Sequence, residues 1–259
     1  MHLLDDSIRR DGKLIIVFKE IQMNYKLKLL LAILFFCGEY AFSQDNQLTE
    51  KEKKQGWELL FNGRNLDNWH VYNRDKAMGG WHAADGMIVF HPNGDAVGGA
   101  DLVSDEEFDD FDLRLEWKIS KGGNSGVFFG VQEEAKYPYE SYTGIEMQVL
   151  DNEEADDRHD PTHLAGALYD LIDASKISKP KPVGQWNAVR ISHYKGRIAF
   201  WLNGVKTADI NKNSPEWKNR VANSKFKDSD FGKFDRGRIA LQDHTDEVAF
   251  RNIKIRRLK

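Results

Sequence analysis

The sequence is poor in several things at once. It has one cysteine and six prolines in 259 residues. A single thiol builds no intrachain disulfide framework and no Cys-cluster zinc or iron–sulfur site. Basic charge is not in excess. Lys and Arg number 37 against 41 Asp and Glu, a net charge of −4 with a pI near 6.1. That balance gives no positive field to hold a phosphate backbone. Long apolar runs are missing too: Leu29 to Gly38 is about ten residues, half of what a membrane-spanning helix needs. No dinucleotide fingerprint, Ser-His-Asp set or Cys-His set stands out. Gly122-Gly123-Asn124-Ser125-Gly126 superficially resembles a phosphate loop, but no Gly-Lys-Ser/Thr follows and the next residues read as a strand.

What is there is an ordinary globular composition: 41% apolar, 30% charged and 12% aromatic. The length suits one large β-domain or two small ones. The first 43 residues read as a leader. Met23–Lys28 is a short positive region, Leu29 to Gly38 is the apolar stretch, and Ala41-Phe42-Ser43 puts small residues at −3 and −1 before Gln44. This is the pattern of a cleaved secretory signal. Residues 1–22 then read as an upstream extension from a misplaced start. Cys37 invites a lipoprotein reading, but Phe36 stands where a lipobox needs a small residue. The expectation is an exported protein, periplasmic or extracellular, with no stable membrane insertion once the leader is removed.

From residue 56 no long 3.6-residue apolar period occurs. Short apolar or alternating runs bounded by Gly, Asn and Asp recur instead. They are Gly86–Phe90, Phe111–Ile119, Ser125–Val131, Gly144–Leu150, Trp186–Ser192, Arg197–Leu202, Gly237–Gln242 and Val248–Ile255. Asn203-Gly204 after Arg197–Leu202 is a strong hairpin signal, because both residues tolerate positive φ. Ser214–Ser224 reads as a surface helix with Ser214 as N-cap and Pro215 at its first position. Residues 44–55 read as a loose lead-in. The pattern predicts one all-β domain over 56–259, a sandwich or jelly roll.

One strand combines strand formers with polar residues: Gly144-Ile145-Glu146-Met147-Gln148-Val149-Leu150-Asp151. Strand parity puts Glu146 and Gln148 on one face and Ile145, Met147 and Val149 on the other. Carboxylates on one concave face are the equipment of glycosidic chemistry. The plain alternative is a solvent-facing strand ending in an Asp151-Asn152 turn. Gln242-Asp243-His244 ends another apolar strand, where a carboxylate could orient a histidine. Asp151–His163 holds six acidic residues and two histidines. It reads as a solvated loop or a divalent-metal loop with Asp151 as a ligand, although it does not fit an EF-hand. Asn124, at a tight strand entry, and His163, at the loop's end, are candidate sugar contacts. Trp117 and Trp201 sit in apolar patterns and read as core. Trp69 and Trp81 have polar flanks and read as a binding face. Arg190 lies in a strand pattern, where it could pair with Glu146 or hold a hydroxyl.

These blocks, taken in order, resemble a known family. Gly56–Gly63 (GWELLFNG), Leu66–Trp69, Trp81–Gly86, Asn124–Phe129, Gly144–Asn152 (GIEMQVLDN), Gly166–Tyr169, Gly184–Asn187, Leu202–Gly204, Leu241–His244 and Phe250–Ile253 together look like the 3-keto-disaccharide hydrolase family. The resemblance covers about residues 56–259. It implies a concanavalin-like jelly-roll sandwich of two antiparallel sheets and cleavage of sugars already oxidised at C3. The Glu-x-Gln-x-x-Asp strand is also similar to the Glu-x-Asp-x-x-Glu strand of laminarinase-type β-glucanases. Here Gln148 replaces the middle Asp and Asp151 replaces the acid Glu.

A ketone at C3 acidifies the C2 proton and places the anomeric leaving group β to the carbonyl. A base then suffices to eliminate the aglycone, and water adds back at C1. On this reading the base is Glu146 or His244. Gln148 holds a hydroxyl or the carbonyl, and Tyr169 protonates or binds the leaving oxygen. Asn124, Trp81, His163, Arg190 and Gln242 are the further substrate contacts. A divalent ion such as Ca²⁺ remains open. The partner is a carbohydrate rather than a nucleic acid, and a separate sugar 3-dehydrogenase makes the keto substrate. Two other classes stay in view: a non-catalytic carbohydrate-binding module and a laminarinase-type endo-β-glucanase.

Overall fold

The computed structural model describes residues 45–74, 80–92 and 101–259. The leader, its cleavage site and Cys37 lie outside the described residues. The chain order of strands is β1 Trp57–Leu59, β2 Trp69–Val71, β3 Trp81–Ala84, β4 Met87–Phe90, β5 Leu102–Phe108, β6 Phe111–Ile119 and β7 Asn124–Val131. β8 Ile145–Leu150, β9 Asn187–Tyr194, β10 Arg197–Leu202, β11 Val205–Asn211, β12 Gly237–Leu241 and β13 Val248–Arg257 follow.

They form two antiparallel sheets. The larger runs β11-β10-β9-β6-β13-β4-β3, with β1 also paired to β13. The smaller runs β2-β5-β12-β7-β8. The architecture is a concanavalin-like jelly roll. β6 shows how the pattern becomes the fold. Phe111, Leu113, Leu115, Trp117 and Ile119 all enter the core between the sheets, as their period of two requires. The hairpin from β10 to β11 turns at Asn203 (φ 50°) and Gly204 (φ 83°), the two positive angles a type I′ turn needs. Helix α2 (Pro215–Ala222) starts where the sequence places it, with the Ser214 hydroxyl accepting the Trp217 N–H at 3.1 Å.

The lead-in is not loose. Thr49 and Glu52 form a reciprocal capping box at the start of helix α1 (Glu50–Lys54). Ahead of it, Asn46 is buried and tied to the last strand. β13 shifts register between Arg251 and Lys254, and Asn252 sits there at φ 55°. The bulge frees the Asn252 N–H from the ladder. Asn46 Oδ1 accepts that N–H at 3.0 Å, the Asn252 side chain accepts the Asn46 N–H at 2.7 Å, and Asn46 Nδ2 donates to the Gly86 carbonyl at 2.8 Å. Replacing Asn46 by Ala leaves a part-buried N–H and a part-buried carbonyl without partners, at a cost of about 1–3 kcal/mol. The expected outcome is a melting temperature lower by several degrees, about 2–4 °C per kcal/mol for a domain of this size. An unchanged melting curve would show that the tie is idle.

Candidate functional site

β8 is the edge of the five-stranded sheet, and its two faces divide as parity demands. Ile145, Met147 and Val149 enter the core with Leu168. Glu146 and Gln148 stand on the outer face, yet both are buried. The cause is a chain segment that returns along the free edge. The Gln148 N–H donates to the Ala167 carbonyl at 3.1 Å, Gly166 N–H to Gln148 O at 2.8 Å, and Tyr169 N–H to Glu146 O at 3.2 Å. The return covers the unpaired edge and delivers Tyr169 beside Glu146. The neighbouring strand makes room: a Cβ on Gly126 would run into the Glu146 carboxyl and the Phe128 ring, so a larger residue there would displace the carboxyl.

Around Tyr169 the groups are titratable. Its hydroxyl donates to Asp157 Oδ2 at 3.2 Å. His163 stacks on its ring at 4.2 Å and reaches Asp157 Oδ1 through Nδ1 at 2.8 Å. The ammonium of Lys225 stands 4.0 Å from the centre of the Tyr169 ring. Burial pushes the Glu146 carboxyl well above its ordinary range. The negative charges of Glu140 and Asp157 add to this, and Lys225 opposes it. Burial, with Asp157 and Glu146 adding, also raises Tyr169, so its phenol stays neutral.

A second group adjoins the first through Glu140. A pocket of ≈ 320 Å³ is lined by Asp101, Glu140, Gln242, Asp243 and His244, among others. Asp101, Glu140 and Asp243 are buried carboxyls. The Asp243 N–H donates to Asp101 Oδ1 at 2.8 Å. Burial raises Asp101 well above its usual range, and the charge of Glu140 and a hydrogen bond with it add to the effect.

The structure therefore brings Glu146, Tyr169 and His163 together and sets His244 and Gln242 in the adjoining pocket. Gln242 Oε1 and Asn124 Oδ1 are buried oxygens without a hydrogen-bond partner. Gln148 Oε1 accepts the N–H of Val149 at 3.2 Å, which leaves its amide NH₂ to other partners. Asp151 serves its own loop: its oxygens accept the N–H groups of Gly122 (2.8 Å) and Glu153 (3.0 Å). No group of three or more His, Cys, Asp or Glu among the described residues is arranged to hold a metal ion.

Three expectations are corrected. Trp81 is no binding-face residue: it is 2% exposed, on the edge hairpin of the large sheet, against Phe90 and Phe250 in the core. Trp69 is likewise buried, its Nε1 donating to the Leu60 carbonyl at 2.8 Å. Polar neighbours on short strands mark the outward face, not the tryptophan. Arg190 does not meet Glu146, which belongs to the other sheet. It makes a two-pronged pair with Asp112 (2.7 and 3.0 Å) and lies over Trp201, which is half-buried rather than core. Asp101, Glu140 and Lys225 were not legible as site residues. They come from strand ends and loops with no period, and only the fold shows that their side chains converge.

A jelly roll of two antiparallel sheets, with buried carboxyls along one outer face, is the frame of a carbohydrate-active hydrolase. The chain belongs to the 3-keto-α-glucoside-1,2-lyase-like family, whose sequence model matches residues 56–256. It is 31% identical over 227 residues to the 3-keto-disaccharide hydrolase of Bacteroides thetaiotaomicron, with 78% of each chain covered. Two solved proteins of Parabacteroides distasonis, each assigned as a glycosyl hydrolase, are similar in fold. One has a TM-score of 0.76 at 32% identity, covering 83% of this chain and 100% of its own. The other has a TM-score of 0.60 at 26% identity, covering 78% and 99%.

The raised carboxyls predict a pH slope. At pH below the unfolded-state values near 4, Glu146 and Asp101 carry protons in both states, and their proton-linked contribution to stability is complete. As pH rises, the unfolded chain ionises first. Stability then falls until the folded-state carboxyls ionise as well. Glu146→Gln keeps the shape and cannot ionise. Its melting temperature should fall less than that of the unaltered protein between pH 5 and 8. Parallel curves would mean that Glu146 holds no burial-shifted proton.

Proposed function

We propose that this hydrolase cleaves glycosides already oxidised at C3, by deprotonation at C2, elimination of the aglycone from C1, and rehydration. The observation that carries the reading is Glu146 itself: a carboxyl buried on the outer face of the sheet, beside a neutral phenol and a histidine. Of the two candidate bases, the geometry favours Glu146. His244 is exposed at the adjoining pocket. A buried carboxylate, once ionised, is a stronger base than an exposed one, which suits removal of a carbon-bound proton.

The other residues supply contacts. The Gln148 amide holds a hydroxyl or the carbonyl. The Tyr169 hydroxyl binds the leaving oxygen, and the raised Asp101 carboxyl is a second source of its proton. The partnerless oxygens of Gln242 and Asn124 accept from sugar hydroxyls. His163, tied to Asp157, holds the Tyr169 ring. The family and the Bacteroides relative support a 3-keto-disaccharide as the substrate class. A separate sugar 3-dehydrogenase forms that substrate, since this sequence has no dinucleotide fingerprint.

The test incubates purified protein with a 3-keto-glucoside and with the matching unoxidised glucoside, with and without EDTA. Released aglycone and 3-keto-glucose are followed by mass spectrometry. Turnover of the keto form alone is expected, with Glu146→Gln slower by about 10²–10⁴-fold. Loss with EDTA would bring a divalent ion into the reaction. Glycan binding without turnover of any keto sugar would leave a binding module, and turnover of ordinary β-glucan would leave a glucanase.

The reading includes export, on the strength of the Met23–Ser43 leader pattern. Expression in a bacterial host should give protein outside the cytoplasm that begins at Gln44 by intact mass. A cytoplasmic product retaining residues 23–43 would overturn it.

A further inference from the structure

We propose that Lys225 is the cationic group that receives the negative charge on the C3 oxygen when the C2 proton is removed, and so reads the ketone that defines the substrate. This rests on the elimination reading above. Removal of the C2 proton by the Glu146 carboxylate sends the C–H electron pair into a C2–C3 double bond and puts a full negative charge on the C3 oxygen. The enolate then collapses. The C3 carbonyl re-forms, a C1–C2 double bond forms, and the C1–oxygen bond breaks toward the aglycone, whose oxygen takes a proton. The first half of that sequence needs a donor or cation at the C3 oxygen, and the outer face offers few.

Most charged groups near Glu146 are acids: Glu140, Asp157 and, in the adjoining pocket, Asp101 and Asp243. Lys225 is the exception. Its position is fixed twice. The backbone N–H donates to Asp170 Oδ2 at 3.0 Å, and the ammonium rests 4.0 Å above the Tyr169 ring, whose own backbone is bonded to Glu146. Tyr169 is held in turn by Asp157 and by the stacked His163. Among the described residues no carboxylate lies within ion-pair distance of the Lys225 ammonium, whereas Lys206, Lys212 and Lys233 are all so engaged. A cation held over an aromatic face keeps its N–H donors free for a ligand. Lys225 is also exposed, so a sugar can reach it from solvent.

An unoxidised sugar presents a hydroxyl at C3 and develops no charge there. Lys225 therefore favours the transition state of the keto sugar over that of its parent, which is differential binding at the reacting atom. The Tyr169 hydroxyl, which the reading above assigns to the leaving oxygen, is not free to serve the C3 oxygen as well.

The test separates enolate formation from aglycone release. A 3-keto sugar with no leaving group at C1 undergoes only C2–H exchange, read by NMR in D₂O. A 3-keto-glucoside reads the whole reaction. Lys225→Ala should lose about 10²–10³-fold in both, the usual loss for one oxyanion donor, while its melting curve stays that of the unaltered protein. Added methylammonium should restore part of the exchange in Lys225→Ala, and tetramethylammonium at equal ionic strength should not, because it has no N–H to donate. Lys225→Arg should keep part of the activity. If exchange persists in Lys225→Ala while release is lost, or if both amines act alike, Lys225 does not face the enolate and the proposal falls. If the unaltered protein neither exchanges nor cleaves any keto sugar, the elimination reading fails instead.

Discussion

The site depends on the burial of one carboxyl. Glu146 is 5% exposed on a face that parity turns away from the core. Burying a carboxylate costs several kcal/mol unless a proton or a partner offsets it. The fold supplies partial compensation only. The Lys225 ammonium favours the charge, while Glu140 and Asp157 oppose it. Such a group favours its protonated form, and carboxyls shifted in this way cluster at functional sites. The neighbouring features follow from it. Gly126 is glycine because the Glu146 carboxyl fills the space of a Cβ, and the 164–169 segment must return along β8 to shut out water.

Stability for this costly face comes from the other sheet. β13 joins β6 along most of its length and takes both β4 and β1 on its other side. Its outer surface is laced by matched charges rather than strained by like ones. Asp112 is buried but accepts from Arg190 and Arg256, and Arg251 bridges Glu116 and Asp45, each at 2.7 Å. The two sheets thus differ: one pairs its buried Asp112 with two arginines, while the other buries Glu146 near further acids, with Lys225 opposing their charge.

The sequence carried the scaffold well because the scaffold is periodic. All eight runs read as strands are strands, the Asn-Gly turn and the Ser214-capped helix are in place, and the Glu146 and Gln148 face is the one parity gives. Of the five strands it missed, β11 was implied only as the far arm of the Asn203-Gly204 hairpin, and the other four lack that signal. β1, β2 and β3 are three or four residues long, and β5 carries Asp105, Glu106 and Glu107 in a row. β5 is a strand because its neighbours β2 and β12 pair with it, not because its composition favours one. The site was legible where it lies on a strand or beside one, as with Glu146, Tyr169 and His163. It was illegible where topology gathers distant loops. Asp101 and Asp243 meet across 142 residues, and Lys225 reaches Tyr169 from a turn that no pattern marks.

The departure at β8 now has a physical account. A retaining glycosidase of this strand type needs two carboxyls about 5–5.5 Å apart, one as nucleophile and one as acid. Here the strand keeps one. The Gln148 amide cannot ionise, and the Asp151 oxygens are engaged by backbone N–H groups that shape its loop. Further carboxyls, Asp101, Glu140 and Asp243, line the adjoining pocket, and Lys225 stands over Tyr169. A double displacement at C1 has no nucleophile–acid pair on such a strand. Chemistry that begins at C2, with one buried base and a nearby cation, asks for what the strand and its loops provide. Gln148 and Asp151 are thus compatible with the proposed elimination, which asks no second ionised carboxyl of β8.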